Sequence, residues 1–339
     1  MTTPLDRPIW ISEAEVVEMM DIGGAIRALE TGLLAEAQGT AKNMIKTHVE
    51  WNGSTLHAIG AVFPALGFCG TKTWSHTKNG ATPLLILFDT ANGGLKAVIE
   101  AFALGQIRTA AASGVATRWL AAPDAEEFAM IGTGKQAITQ VAAVLAVRPV
   151  RRIRVFSRDQ TLRDRFADHL RSEFPVEVVS SSSVREAVAG ASIVTVATRA
   201  SDPIVSSDML MSGAHINSVG AIVPSRAEIA QDALLRSTQI ATDSVPQAQK
   251  LSRELIEFFG NDIQRWSAVK PLARIVADRV TRQASDDLSL FKALGVGISD
   301  LSLGIELYLQ AASSGQGYRF APPQRVSPRL TGEVKQSSH

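Results

Sequence analysis

Residues 127–140 read EFAMIGTGKQAITQ. The apolar run Phe128 to Ile131 ends in Gly132-Thr-Gly134-Lys-Gln-Ala137, and a helix-like run from Ala137 to Val147 follows. Strand, Gly-x-Gly-x-x-Gly/Ala turn and helix together form the fingerprint of a dinucleotide site. Gly132 permits the tight turn, Gly134 lets backbone approach a pyrophosphate, and Ala137 lets helix and strand pack closely. The anion would rest on the helix N-terminus, where free N–H groups and the helix dipole favour negative charge. Lys135 and Gln136 open that helix.

The stretch that follows selects the cofactor. Arg152 to Phe156 (RIRVF) reads as the second parallel strand and ends at Ser157-Arg158-Asp159. An acid at this strand end holds the ribose hydroxyls of NAD, whereas a basic residue accommodates the 2′-phosphate of NADP. Arg158 therefore favours NADPH, and Asp159, one residue later, keeps NADH open.

From Glu127 onward strands alternate with helices. Strands are expected at residues 128–132, 152–157, 176–179, 192–198, 215–220 and 239–243, and repeated β-α units imply a doubly wound parallel sheet. The N-terminal third has another rhythm. Ser12 and Glu15 form a capping box that opens a helix near Met20, and a second amphipathic stretch runs from Ile26 to Gln38. Five short β-like runs follow at 45–51, 55–63, 68–75, 84–88 and 95–101. Asn52-Gly53, Pro64, Asn79-Gly80 and Asn92-Gly93-Gly94 separate them, which argues for an antiparallel sheet. An Ala-rich helix at 107–120 leads into the dinucleotide strand. A last strong helix at 299–313 follows Gly295-Val-Gly297 and would return to the N-terminal sheet.

The length of 339 residues suits two domains. A net charge of +1 gives no reason to expect nucleic acid or an anionic membrane as partner. The single cysteine, Cys69, excludes an intramolecular disulfide and fits a reducing cytoplasm. The six histidines are scattered, so no metal site is expected. No stretch has the length and apolarity of a membrane span, the N-terminus lacks a signal-peptide core, and the last ten residues read as disordered.

The order of several blocks carries a more specific message. Gly70-Thr-Lys72, Leu87-Phe-Asp-Thr-Ala-Asn-Gly93, Ile107-Arg108-Thr109-Ala-Ala, Ile131-Gly-Thr-Gly-Lys-Gln136, Gly213 to Gly220, Pro224 to Glu228 and Leu290 to Gly295 with Asp300 cover about residues 10 to 315. In this order the chain resembles the ornithine cyclodeaminase/mu-crystallin family, nearest to its NADPH-dependent ketimine reductases. The resemblance implies an α/β fold: a Rossmann doubly wound parallel sheet plus a discontinuous α+β substrate and dimerisation domain with an antiparallel sheet. The second domain would comprise residues 1–118 with 306–339, and the Rossmann domain residues 119–305. It also implies a homodimer, with the active site between the domains.

The resemblance assigns catalysis to Lys72 and Arg108. Lys72 would pair with a substrate carboxylate and could donate a proton to the substrate nitrogen; Arg108 would bind the carboxylate with its guanidinium fork near the nicotinamide. Lys46 stands where the family usually has arginine and would add a third positive charge without the bidentate geometry. Trp74 and His76 alternate with Lys72 along one strand and would line the substrate pocket. Thr82, Arg108, Gly132, Gly134, Lys135, Gln136, Ser157, Arg158, Thr198, Val219, Gly220, Arg226 and Lys292 would touch the cofactor, while Gly295 and Asp300 match a C-terminal family block.

Cyclodeaminases place an essential aspartate in the loop after Val219-Gly220. Here the loop reads Ala221-Ile222-Val223-Pro224-Ser225-Arg226, with no acid before Glu228, which matches a structural glutamate. The expectation is an NAD(P)H-dependent reductase of C=N bonds in small α-imino carboxylates, reversible as an amino-acid dehydrogenase. The alternatives are an NAD-dependent ornithine cyclodeaminase and a non-catalytic protein that binds NADPH or a small ligand.

Overall fold

The computed structural model describes residues 7–330. The disorder expected for the last ten residues lies, apart from Leu330, outside the described residues, as do the first six positions of the N-terminus.

The N-terminal third builds a sheet from β1 (Ile9–Ile11), β2 (Lys42–Asn43), β3 (Thr47–Trp51), β4 (Ser54–Phe63), β5 (Phe68–Thr77), β6 (Gly80–Ala81), β7 (Leu84–Asp89) and β8 (Leu95–Glu100). The following residues supply β9 (Glu127–Ile131), β10 (Arg152–Phe156), β11 (Glu177–Ser180), β12 (Ile193–Val196), β13 (His215–Ser218), β14 (Ser237–Thr242), β15 (Val269–Pro271) and β16 (Leu288–Lys292), and β17 (Tyr318–Arg319) is the last strand among the described residues.

The first sheet has the order β17-β1-β8-β7-β5-β4-β2, with β3 against β4 and β6 against β5. Its pairings are antiparallel except for β1 beside β8. The hairpin between β3 and β4 turns at Asn52 (φ 46°) and Gly53 (φ 74°). Two successive residues at positive φ match the twist of paired strands, which is why Asn-Gly suits this turn. The short strands β1 and β17 were not legible in the sequence because two or three residues carry no period.

The second sheet is parallel throughout, in the order β11-β10-β9-β12-β13-β16-β14-β15. Its central strand β12 (IVTV) is buried along its whole length, as expected of a strand covered on both faces. Strand order reverses between β9 and β12, and in such sheets the ligand crevice opens at the carboxyl ends beside the reversal. Strands β15 and β16 are additions to the expected set. The run Leu288-Ser-Leu-Phe-Lys292 hid because Ser289 and Lys292 interrupt its apolar pattern, yet all of its residues are buried.

The helix Gly297–Ser314 leaves the parallel sheet after β16 and packs on β4, β5, β7 and β1 of the first sheet. The expected domain boundary at residues 305/306 falls inside this one continuous helix. Its entry is tight: a methyl group on Gly297 would strike the backbone of Gly60 in β4. Neither backbone can yield without disturbing its sheet or helix. Gly297→Ala should therefore lower stability by about 1–3 kcal/mol, the usual range for overpacking, read as a lower urea midpoint at unchanged slope.

Candidate active site

A cleft of about 1080 Å³ opens at the carboxyl ends of β9, β10, β12, β13 and β16. Its walls include Gly132, Gly134, Lys135 and Gln136 after β9, Ser157 and Arg158 after β10, Thr198 after β12, and Val219 and Gly220 after β13. Arg108, Thr109, Arg226 and residues 293–295 complete it.

The dinucleotide cradle can be tested on local geometry. Gly132 sits at φ 103°, and a side chain there would collide with the carbonyl of Ala197. Beside Gly134, by contrast, the space for a side chain is empty, so backbone there is open to a ligand. The helix Ala137–Leu145 has no side-chain cap at its N-terminus, leaving N–H groups free for an anion. Asp159 is committed otherwise: its carboxylate accepts a hydrogen bond of 2.9 Å from Leu162 N and caps the helix Gln160–Glu173. Arg158 is exposed on the cleft wall, with no ion-pair or hydrogen-bond partner among the described residues. These residues fit a dinucleotide.

The opposite end of the cradle is rigidly tied. Glu228 is fully buried. Its Oε1 accepts from Thr198 N (2.6 Å) and Thr198 Oγ1 (2.8 Å), and its Oε2 accepts from Ser218 Oγ (3.1 Å), Gly220 N (2.9 Å) and Ala221 N (3.2 Å). One carboxylate thus binds the ends of β12 and β13 together. Burial pushes its pKa up, opposed by the Lys292 charge and by the Thr198 and Gly220 donors. Lys292, expected at the cofactor, is 1% exposed and absent from the cleft wall. Its ammonium donates to Ser218 Oγ (3.0 Å) and pairs with Glu254 (3.1 Å). It therefore acts behind the strand ends.

A charged cluster borders the cleft at Arg108. Lys72, on β5, donates a 2.5 Å hydrogen bond to Asp300 Oδ1, and Arg108 Nε lies 3.3 Å from the same oxygen. Burial lowers the Lys72 pKa to about 8, with the Asp300 charge opposing the shift and those of Arg108 and Lys46 adding to it. Lys46 is held low by burial and then by the Arg108 charge, partly offset by Asp243 and Asp300. Asp243 is buried, which pushes its pKa up although it accepts from Leu294 N and Gly295 N. The indole of Trp74 lies over the Lys72 ammonium at 5.2 Å.

The structure thus brings Lys46, Lys72, Arg108 and Trp74 together. Of these four only Arg108 lines the cleft itself; His76 is exposed at the strand end and Thr82 is exposed between β6 and β7, and neither joins the cluster. Sequence reasoning left out Asp243 and His57, and gave Asp300 and Glu228 no chemical role. His57, on β4, pairs with Trp74 of β5 and stacks on it at 4.6 Å, with His48 of β3 stacked on its other side at 5.4 Å. The period-two pattern offered one available signal, because directly opposed strand residues share a face.

Comparison with known proteins agrees with this geometry. A Δ1-pyrroline-2-carboxylate reductase from Bacillus cereus is 30% identical over 267 residues, covering 78% of this chain and 81% of the relative. The ketimine reductase mu-crystallin of Rattus norvegicus is 30% identical over 232 residues, covering 68% and 70%. Among solved structures, Thermococcus litoralis Δ1-pyrroline-2-carboxylate reductase in complex with NADH and L-proline superposes with a TM-score of 0.85 at 26% identity, covering 92% of this chain and 100% of that one. The model of the ornithine cyclodeaminase/mu-crystallin family matches residues 8–315, and the chain belongs to that family.

Proposed function

We infer that the protein is an NAD(P)H-dependent reductase of C=N bonds in small α-imino carboxylates, reversible as an amino-acid dehydrogenase. The observation that carries this reading is the position of Arg108, which lines the dinucleotide cleft and also joins the Lys72–Asp300 pair. A carboxylate held there would share the cleft with Thr198 and Gly220, the strand ends tied by Glu228. The relatives support it: one is named for Δ1-pyrroline-2-carboxylate, and the Thermococcus structure holds NADH with L-proline.

When bound, the nicotinamide cofactor supplies the hydride to the imine carbon. The protein orients the acceptor. Arg108 and Lys46 attract the substrate carboxylate. As the C=N π pair moves onto nitrogen, the Lys72 ammonium gives that atom a proton and later regains one from solvent. Burial suits Lys72 to this work, because an ammonium with a pKa of about 8 releases its proton more readily than an exposed lysine. The cyclodeaminase reading lacks an acid in the loop where that activity places one: the loop after Gly220 reaches no carboxylate before Glu228, and that one is sealed by its donors.

Two finer features belong to the same reading. Unpartnered Arg158, with Asp159 engaged in capping, favours NADPH over NADH. Exposed Val49, Trp51 and Leu56 on β3 and β4 support a homodimer formed through the outer face of the first sheet.

NADPH oxidation followed with a panel of cyclic and linear α-imino acids tests the function. Turnover lost in Lys72→Ala is expected; ammonia and proline from ornithine and NAD, with no imine reduced, would overturn it. Arg158→Ala should raise KM for NADPH about tenfold, the scale of one lost charge-assisted contact, and leave KM for NADH unchanged. Lys72 must be charged to donate, so kcat/KM should be full below its pKa of about 8 and fall as pH rises through it. Gly134→Ala, with open space at the new methyl, should keep the melting temperature while calorimetry shows weakened NADPH binding.

A further inference from the structure

Asp300 lies in the first turn of the helix Gly297–Ser314 and is fully buried. Its Oδ1 serves two cations from different elements: Lys72 of β5 and Arg108 of the helix Phe102–Leu120. Its Oδ2 has no hydrogen-bond partner among the described residues. The Arg108 guanidinium fills the space that a side chain on Gly295 would need, with Nη1 2.6 Å from that position. Gly295 takes φ 83° and its N–H is held by Asp243. The carboxylate and the guanidinium are therefore fixed against each other from both sides.

Without Asp300, Lys72 would face Arg108 and Lys46 with no opposing charge in contact. Like charges crowded around a buried ammonium repel strongly, and at least one side chain would move toward water or Lys72 would lose its proton. We propose that Asp300 is the positioning residue of this site: it holds the Lys72 ammonium and the Arg108 guanidinium at one oxygen, so that both point at the same substrate. The proposal rests on the reading that Lys72 protonates the substrate nitrogen.

It follows that Asp300 sets the charge on Lys72. The groups facing that ammonium are Asp300 from the C-terminal helix, Arg108 from the helix Phe102–Leu120, Lys46 from the segment before β3, and the Trp74 ring on its own strand. Only Asp300 among them is negative.

The test uses the full-length protein with Asp300→Asn and Asp300→Glu. NMR of lysine labelled at the ε-carbon, with Lys72 assigned through Lys72→Arg, gives its titration midpoint without any substrate. Asp300→Asn should move the midpoint to lower pH and cut kcat for imine reduction about 100-fold, the scale of a lost proton donor. NADPH affinity measured by calorimetry should fall far less than kcat, because Gly132, Gly134, Lys135 and Arg158 of the cleft wall make no contact with Asp300. Asp300→Glu should restore the midpoint and part of kcat, and it serves alone if the Asn variant fails to fold: a Lys72 midpoint falling to that of a lysine with no counter-ion would then count against the proposal. An unmoved midpoint in Asp300→Asn overturns it outright. A moved midpoint in a protein that reduces no imine sustains the role of Asp300 and overturns the reductase reading instead.

Discussion

Chain leaving the parallel sheet at Lys292 has only residues 293–297 in which to reach the face of the other sheet, and the site depends on how that crossing is held. Asp243 takes the N–H groups of Leu294 and Gly295. Asn43 takes the N–H of Ile298. Gly297 lies against the backbone of Gly60. With so little slack, the first turn of the C-terminal helix has one place to go, and that place puts Asp300 between Lys72 and Arg108. The same crossing forms part of the cleft wall. The parallel sheet, the antiparallel sheet and the charged cluster thus share one short connection, so their geometry is set together.

Glu228 and Asp300, both buried, do different work near this junction. Glu228 accepts mostly backbone and hydroxyl donors, and its effect is to fix strand ends. Asp300 meets side-chain cations, and its effect is on charge. A carboxylate is suited to both roles because its two oxygens can serve several donors at once. Burial makes each arrangement demanding, since an ion out of water is tolerated only with its partners in place.

Local signals made much of the fold legible. Gly132 and Gly134 announced the turn after β9, and Asn52-Gly53 announced the hairpin between β3 and β4, because each encodes a backbone conformation within a few residues. Strand β16 escaped because its Ser289 and Lys292 are satisfied by distant groups: Leu120 O and His215 for the serine, Glu254 and Ser218 for the lysine. Nothing nearby in the chain marks such residues as interior. Lys72 and Arg108 were singled out through resemblance, whereas the role of Asp300 depends on a contact spanning 228 positions of sequence. No periodicity reaches that far.

Trp74 gives the arrangement a further property. Its indole lies 5.2 Å from the Lys72 ammonium and is stacked on His57. Light emitted by an indole shifts in colour and intensity with the charge and wetness of its immediate surroundings. Changes in protonation of that nitrogen, or in the filling of the space beside it, thereby alter the ultraviolet emission of a residue already in place. The protein carries an optical reporter of its own chemistry, with no dye or label attached.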